Sequence, residues 1–201
     1  MSIGEMSLYW IVTYPPLVLV LLIIELFGTS PKSITNIGIN LTAQFYIALP
    51  MAMLNFAVII DGKYQGLVMM GFLFLVWVQD SGAYLFGSMF GKNPLFKRIS
   101  PKKTIEGFLG GAIAAIGVAF AISSVLGVLD LVDWLVLAAI TIVFATLGDL
   151  IESLFKRNLQ IKDSGTFLPG HGGFLDRFDA LLFAIPCYAA YIVLIYRQLG
   201  G

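Results

Sequence analysis

The chain has 201 residues, 59% of them hydrophobic, and its 12 Lys and Arg balance its 12 Asp and Glu to give zero formal net charge. Soluble domains are roughly 45–50% apolar, and a soluble fold of this size could not hide so much more, so a mean hydropathy of +0.92 indicates an integral membrane protein. The charge balance argues against a nucleic-acid binder, and the single Cys187, set in an apolar run, excludes an internal disulfide.

A helix crossing a bilayer needs about 20 mostly apolar residues. Stretches of that kind run Leu8–Phe27, Leu41–Ile60, Gly66–Phe90, Gly107–Leu129, Trp134–Leu154 and Ala180–Tyr196. The fold class expected is therefore all-α, a polytopic transmembrane helical bundle of about six spans, forming a single membrane domain over residues 1–201. The first run lacks the basic flank of a cleavable signal peptide and is long enough to span. Pro15-Pro16, Pro50 and Pro186 fall inside spans, where each is expected to kink its helix. The alternating polarity of a membrane β-barrel is absent.

With this span count, segments 28–40, 91–106 and 155–179 share one side of the membrane. They carry Lys32, Lys92, Lys97, Arg98, Lys102, Lys103, Lys156, Arg157, Lys162 and Arg177, all but two of the chain's Lys and Arg. By the positive-inside rule that side is cytoplasmic, where nucleotides are available. The expected setting is the cell membrane, with the polar loops facing the cytoplasm.

Polar residues then gather in two places. Asp80 lies in mid-run, and an ionisable residue inside a span is a functional candidate by default. Tyr84, Gly87 and Gly91 continue its helix face. Ser100-Pro101-Lys102-Lys103-Thr104 follows, where Ser100 or Thr104 can cap the next helix and the lysines can meet phosphate or anionic lipid. Gly107, Gly110, Gly111 and Gly117 in the fourth span suit close helix packing.

The second gathering is Ser153–Asp179, preceded by Asp149. Asp149, Glu152, Ser153 and Lys156 recur at helical spacing on one face, and Asp176 and Asp179 stand where the last span begins. A Glu152–Lys156 ion pair is the bland explanation of that pair but leaves Asp149 unexplained. Asp80, Asp149, Asp176 and Asp179 all sit near cytoplasmic helix ends and can converge as oxygen ligands. Without a His or Cys cluster such a set favours magnesium, shared with phosphate oxygens. His171, the only histidine, lies in a glycine-rich turn that lets backbone approach a ligand. Carboxylates for a metal and separate basic clusters for phosphates point to phosphoryl or nucleotidyl transfer to a lipid. They do not name the nucleotide.

The ungapped pattern S-x-x-K-R-x4-K-D-x-G-x3-P-G-H-G-G-x-x-D-R-x-D from Ser153 to Asp179 resembles the signature of the phosphatidate cytidylyltransferase (CDP-diacylglycerol synthase) family. Gly148–Glu152 and the block from Asp80 through Ser100–Thr104 to Gly107 resemble it in order and spacing, so the likeness runs from Val76 to Tyr196. The resemblance implies conversion of CTP and phosphatidic acid to CDP-diacylglycerol and pyrophosphate in the membrane, with magnesium as cofactor. It implies Asp149, Asp176, Asp179 and Asp80 for the metal, with Asp149, Lys156, Asp176 and Asp179 as the catalytic group. Lys156, Arg157, His171 and Arg177 would contact CTP phosphates or the lipid headgroup, and Ser100, Lys102, Lys103 and Thr104 would form a second phosphate-binding element. Homodimers are compatible with it. Family members carry more transmembrane sequence before the Asp80 block, so one to three further N-terminal helices are expected in a complete protein. Two other readings stay open at this point: a CTP-dependent enzyme acting on another lipid, such as a polyprenol kinase or an archaeal-type lipid cytidylyltransferase, and a transporter using intramembrane carboxylates.

Overall fold

The computed structural model describes residues 16, 18–28, 31–60, 63–161, 164, 165, 173 and 175–198. Helix α1 covers Val18–Phe27. A helical run follows as α2 (Ser33–Ala43), a π-helical turn (Gln44–Ala48) and α3 (Leu49–Ala57). Then come the short strands β1 (Ile59–Ile60) and β2 (Lys63–Tyr64), helix α4 (Gly66–Phe90), the strands β3 (Pro94–Phe96) and β4 (Ser100–Thr104), and helix α5 (Ile105–Leu126). Helix α6 (Leu131–Ile140) passes through a second π-helical turn (Thr141–Ala145) into α7 (Thr146–Asn158), and a 3-10 turn (Leu175–Arg177) leads into α8 (Asp179–Gln198).

The chain divides into two compact units, residues 1–49 and 50–201. In the first, Asn36 Nδ2 donates to Glu25 Oε1 at 2.8 Å, tying α2 to the end of α1. The second holds the helices that build the site.

Among the described residues, Ser33–Asn55, Gly66–Phe90, Ile105–Leu126 and Leu131–Asn158 are long and apolar enough to cross a membrane. Val18–Phe27 and Asp179–Ile195 are shorter apolar helices. The protein is an integral membrane protein with a predominantly helical fold. Large apolar side chains left outside the fold, such as Leu109, Ile113, Phe120 and Val125 along α5, suit contact with lipid. The second span is shifted from its expected bounds, beginning at Ser33 and giving way to β1 at Ile59. Pro50 is the second residue of α3, and having no N–H it gives no donor to the helix ladder there.

Helices α4 and α5 pack backbone to backbone along a glycine seam. A Cβ on Gly111 would strike the Gln79 carbonyl oxygen and Ala83, and one on Gly107 would strike the Ala83 carbonyl. Behind the seam, Phe72 of α4 stacks on Tyr188 of α8, with ring centroids 4.2 Å apart and planes 14° apart. Trp134, Leu137, Ile185 and Ile192 complete that buried core. At the far end of α6, Asp133 accepts from the Asp130 N–H at 3.2 Å and from the Tyr191 hydroxyl at 2.6 Å. That bond fixes α8 against the start of α6.

Candidate active site

The loop between α4 and α5 is an antiparallel hairpin pairing Pro94 with Thr104 and Phe96 with Ser100. Ser100–Thr104 is extended as β4. Thr104, at φ −120° and ψ 154°, is both the last strand residue and the N-cap of α5, its hydroxyl accepting the Gly107 N–H at 3.1 Å. The hairpin leans on the end of α4, with the Thr104 hydroxyl against Gly87.

Helix α7 presents its polar face to this hairpin. Lys103 of β4 forms an ion pair with Asp149 of α7. One turn on, Ser153 Oγ donates to Asp149 Oδ1 at 3.4 Å. Glu152, with 1% of its surface exposed, ion-pairs with Lys156, whose ammonium also contacts Asp176 Oδ1 at 2.8 Å. Lys156 is thus shared between two carboxylates.

Asp176 is the most heavily used acceptor in the site. Ser164 N donates to Oδ2 at 2.9 Å, Ser164 Oγ to Oδ2 at 3.0 Å, and Gly173 N to Oδ2 at 2.7 Å. Burial opposes its charge, but Lys156 and the Ser164 and Gly173 amides together hold the carboxyl below the usual aspartate range. By contrast Asp80, on α4, makes no hydrogen bond or ion pair among the described residues, and Asp179 accepts only from the Ala180 N–H, at 2.7 Å.

These parts border one cavity of about 560 Å³. Asp80, Asp149, Asp176 and Asp179 line it together with Lys156, and across from them stand Ser100, Lys102, Lys103 and Thr104. Asp80 comes from within α4, Asp149 from α7, Asp176 from the 3-10 turn and Asp179 from the start of α8, while β4 supplies Lys102 and Lys103. Arg157 is exposed and Arg177 sits in the 3-10 turn; neither is on the cavity wall. His171, Lys162 and Asp163 lie outside the described residues.

Gln79 is a cavity residue that the sequence reading passed over. Its Nε2 donates to Thr146 Oγ1 at 3.0 Å, and Thr146 in turn donates to the Ile142 carbonyl at 2.8 Å. The amide orientation is thereby set, and Oε1 is left buried without a partner among the described residues. Its only sequence signal is an amide beside Asp80 in an apolar run.

Among the described residues, no three His, Cys, Asp or Glu side chains are gathered closely enough to hold a metal by themselves. Magnesium is commonly bound through one or two carboxylates plus substrate phosphates and waters. Carboxylates with unused oxygens, those of Asp80 and Asp179, beside the lysine-paired Asp149, fit that mode. Asp176, with its lone pairs already committed to the chain, fits it less well.

A profile of the Cytidylyltransferase family matches residues 2–195. Curated relatives named phosphatidate cytidylyltransferase include those of Staphylococcus saprophyticus, 45% identical over 137 residues, and Staphylococcus epidermidis, 47% identical over 137 residues. Each match covers 66% of this chain and 52% of the relative, so the chain spans about half the length of the curated relatives it matches. A solved structure described as that of an intramembrane enzyme for archaeal membrane lipids biosynthesis aligns with a TM-score of 0.45 and 20% identity, covering 65% of this chain and 91% of that one. By the match along nearly its whole length, the chain belongs to the Cytidylyltransferase family.

Proposed function

We propose that the protein transfers CMP from CTP to phosphatidic acid, giving CDP-diacylglycerol and pyrophosphate, with magnesium as cofactor and the cavity open to the cytoplasm. The observation that carries this reading is one cavity, lined by residues of membrane-crossing helices, where carboxylates with unused oxygens stand with Lys102 and Lys103. The name borne by the Staphylococcus relatives supports the same reaction.

A phosphate oxygen of phosphatidic acid forms the new bond to the α-phosphorus of CTP, and the bond from that phosphorus to pyrophosphate breaks. A phosphate monoester is already largely ionised near pH 7, its second pKa being about 6, so no strong general base is required. The work left to the protein is placement and charge. Lys102 and Lys103 hold phosphate oxygens from the β4 side, while Asp149 and Asp179, with Asp80, would hold the metal. The chemistry supplied by magnesium, when bound, is neutralisation of charge on the phosphoryl oxygens. Lys156 keeps Asp176 and Glu152 in place, and Asp176 draws Ser164 and Gly173 together at the edge of the cavity.

The test is incubation of purified protein with labelled CTP and either phosphatidic acid or a polyprenol, with and without magnesium. The labelled product expected is CDP-diacylglycerol, formed only with magnesium. A phosphorylated polyprenol would overturn the choice of acceptor, and liposomal uptake without CTP consumption would favour transport.

A further inference from the structure

Glu106 is not on the cavity wall, yet its carboxylate takes hydrogen bonds from both Lys92 and Asn93 of the α4–β3 turn. Its Oε2 accepts the Lys92 N–H at 3.1 Å and the Asn93 N–H at 3.2 Å. Its Oε1 accepts the Asn93 side-chain amide at 2.7 Å. One carboxylate therefore takes up two backbone donors left beyond the end of α4 and a side-chain donor from the same turn.

The chain has a specific need for this tie. Pro94 pairs with Thr104 at the open end of the hairpin and has no N–H to give the ladder. Apart from the Ile105 N–H to Asn93 carbonyl bond at 2.9 Å, Glu106 is what closes that end. At the other side of the same strand, Lys103 reaches across to Asp149. The placement of β4 thus depends on a carboxylate just beyond its last residue and an ion pair from its fourth, Lys103.

Resting on the function proposed above, we infer that Glu106 is a positioning residue: by fixing the Lys92-Asn93 turn it sets where Lys102 and Lys103 meet the phosphate-bearing substrate. It acts through the hairpin and touches no substrate. Loss of Glu106 therefore weakens phosphate binding more than it slows the chemical step.

The experiment uses the full chain in detergent micelles with phosphatidic acid, comparing Glu106→Ala, Glu106→Gln and Lys103→Ala. Expected for Glu106→Ala is an apparent KM for CTP or phosphatidic acid raised about tenfold with kcat within about threefold. Glu106→Gln, which keeps an acceptor for the backbone donors, recovers most of the loss. Adding Glu106→Ala to Lys103→Ala raises KM little further, because both act through one strand. Equal falls in kcat for Glu106→Ala and Glu106→Gln, or fully additive effects, would overturn the proposal. A second arm does not need turnover: with Cys187→Ala as background, Lys103→Cys and Asp149→Cys are joined by a short bis-maleimide, which alkylates both thiols. Cross-linking is expected to fall in Glu106→Ala and return in Glu106→Gln, and an unchanged yield would overturn the positioning role. If the wild-type chain makes no CDP-lipid while the cross-linking follows Glu106 as expected, the proposed reaction fails and the positioning role stands.

Discussion

The Lys103 ammonium and the Asp149 carboxylate pair across the cavity, joining the β3–β4 hairpin to helix α7. A cation read as a phosphate contact and an anion read as a metal ligand are, in this state, each other's partner. On the proposed function, substrate and metal binding would part them, and each would then acquire a counter-charge of its own.

Asp149→Asn should lower kcat about a hundredfold or more, the scale for losing a charge-placing group at a transferring phosphoryl centre. Lys103→Ala should act chiefly on KM. Steady-state kinetics across magnesium concentrations separate the two, and near-normal turnover by Asp149→Asn would remove it from the metal site.

Lys156 holds two carboxylates, one of them buried, so its removal should cost more than removal of either partner. Lys156→Met leaves Glu152 and Asp176 without their shared cation and should destabilise the protein by about 3 kcal/mol or more. Glu152→Gln leaves the Lys156–Asp176 contact intact and should cost less. Thermal unfolding in one detergent, followed by fluorescence, ranks the pair, and the reverse order would refute the shared-cation account.

Asp176 gives a pH dependence of known sign. Its folded-state pKa lies below the ordinary aspartate value of 3.8, so its stabilising contribution is complete above that value and is lost as pH falls below it. Asp176→Asn, which weakens the contacts to Lys156, Ser164 and Gly173, should be less stable than wild type near neutrality. The difference should shrink below about pH 4. Melting temperatures over that range check it; a gap that stays constant would mean the carboxylate's charge is immaterial.

The α4–α5 seam predicts a contrast between glycines of one helix. Gly111→Val must displace the Gln79 carbonyl or Ala83 and should cost about 1–3 kcal/mol. Gly117 has nothing within reach of an added Cβ, so Gly117→Ala should stay within about 0.5 kcal/mol of wild type. Matching losses for both would argue against a close-packed seam.

The membrane helices were legible because length and hydropathy are local properties that each stretch carries by itself. Helix α5 begins within two residues of its expected start, and the small residues assigned to close packing face α4 as expected at Gly107 and Gly111. Ser100–Thr104 was not legible as a strand, since its partner Pro94–Phe96 is another short polar-flanked segment with no alternation to mark it. Nor could spacing tell that Asp176 spends its oxygens on Ser164, Gly173 and Lys156, because those donors come from separate stretches brought together only by folding. Gln79 was passed over for a similar reason: its significance lies in Thr146, 67 residues away.

Where two helices touch through glycine, they cannot slide apart or pivot without opening a void that no side chain can fill. Helices α4 and α5 therefore behave as a fixed post, with Asp80 and the root of the hairpin mounted on the same piece. Any change in cavity width on binding the proposed nucleotide and lipid would be taken up on the opposite wall, by α7 and α8. A spectroscopic ruler between α4 and α5 should stay constant through a catalytic cycle, while one from α4 to α7 records it.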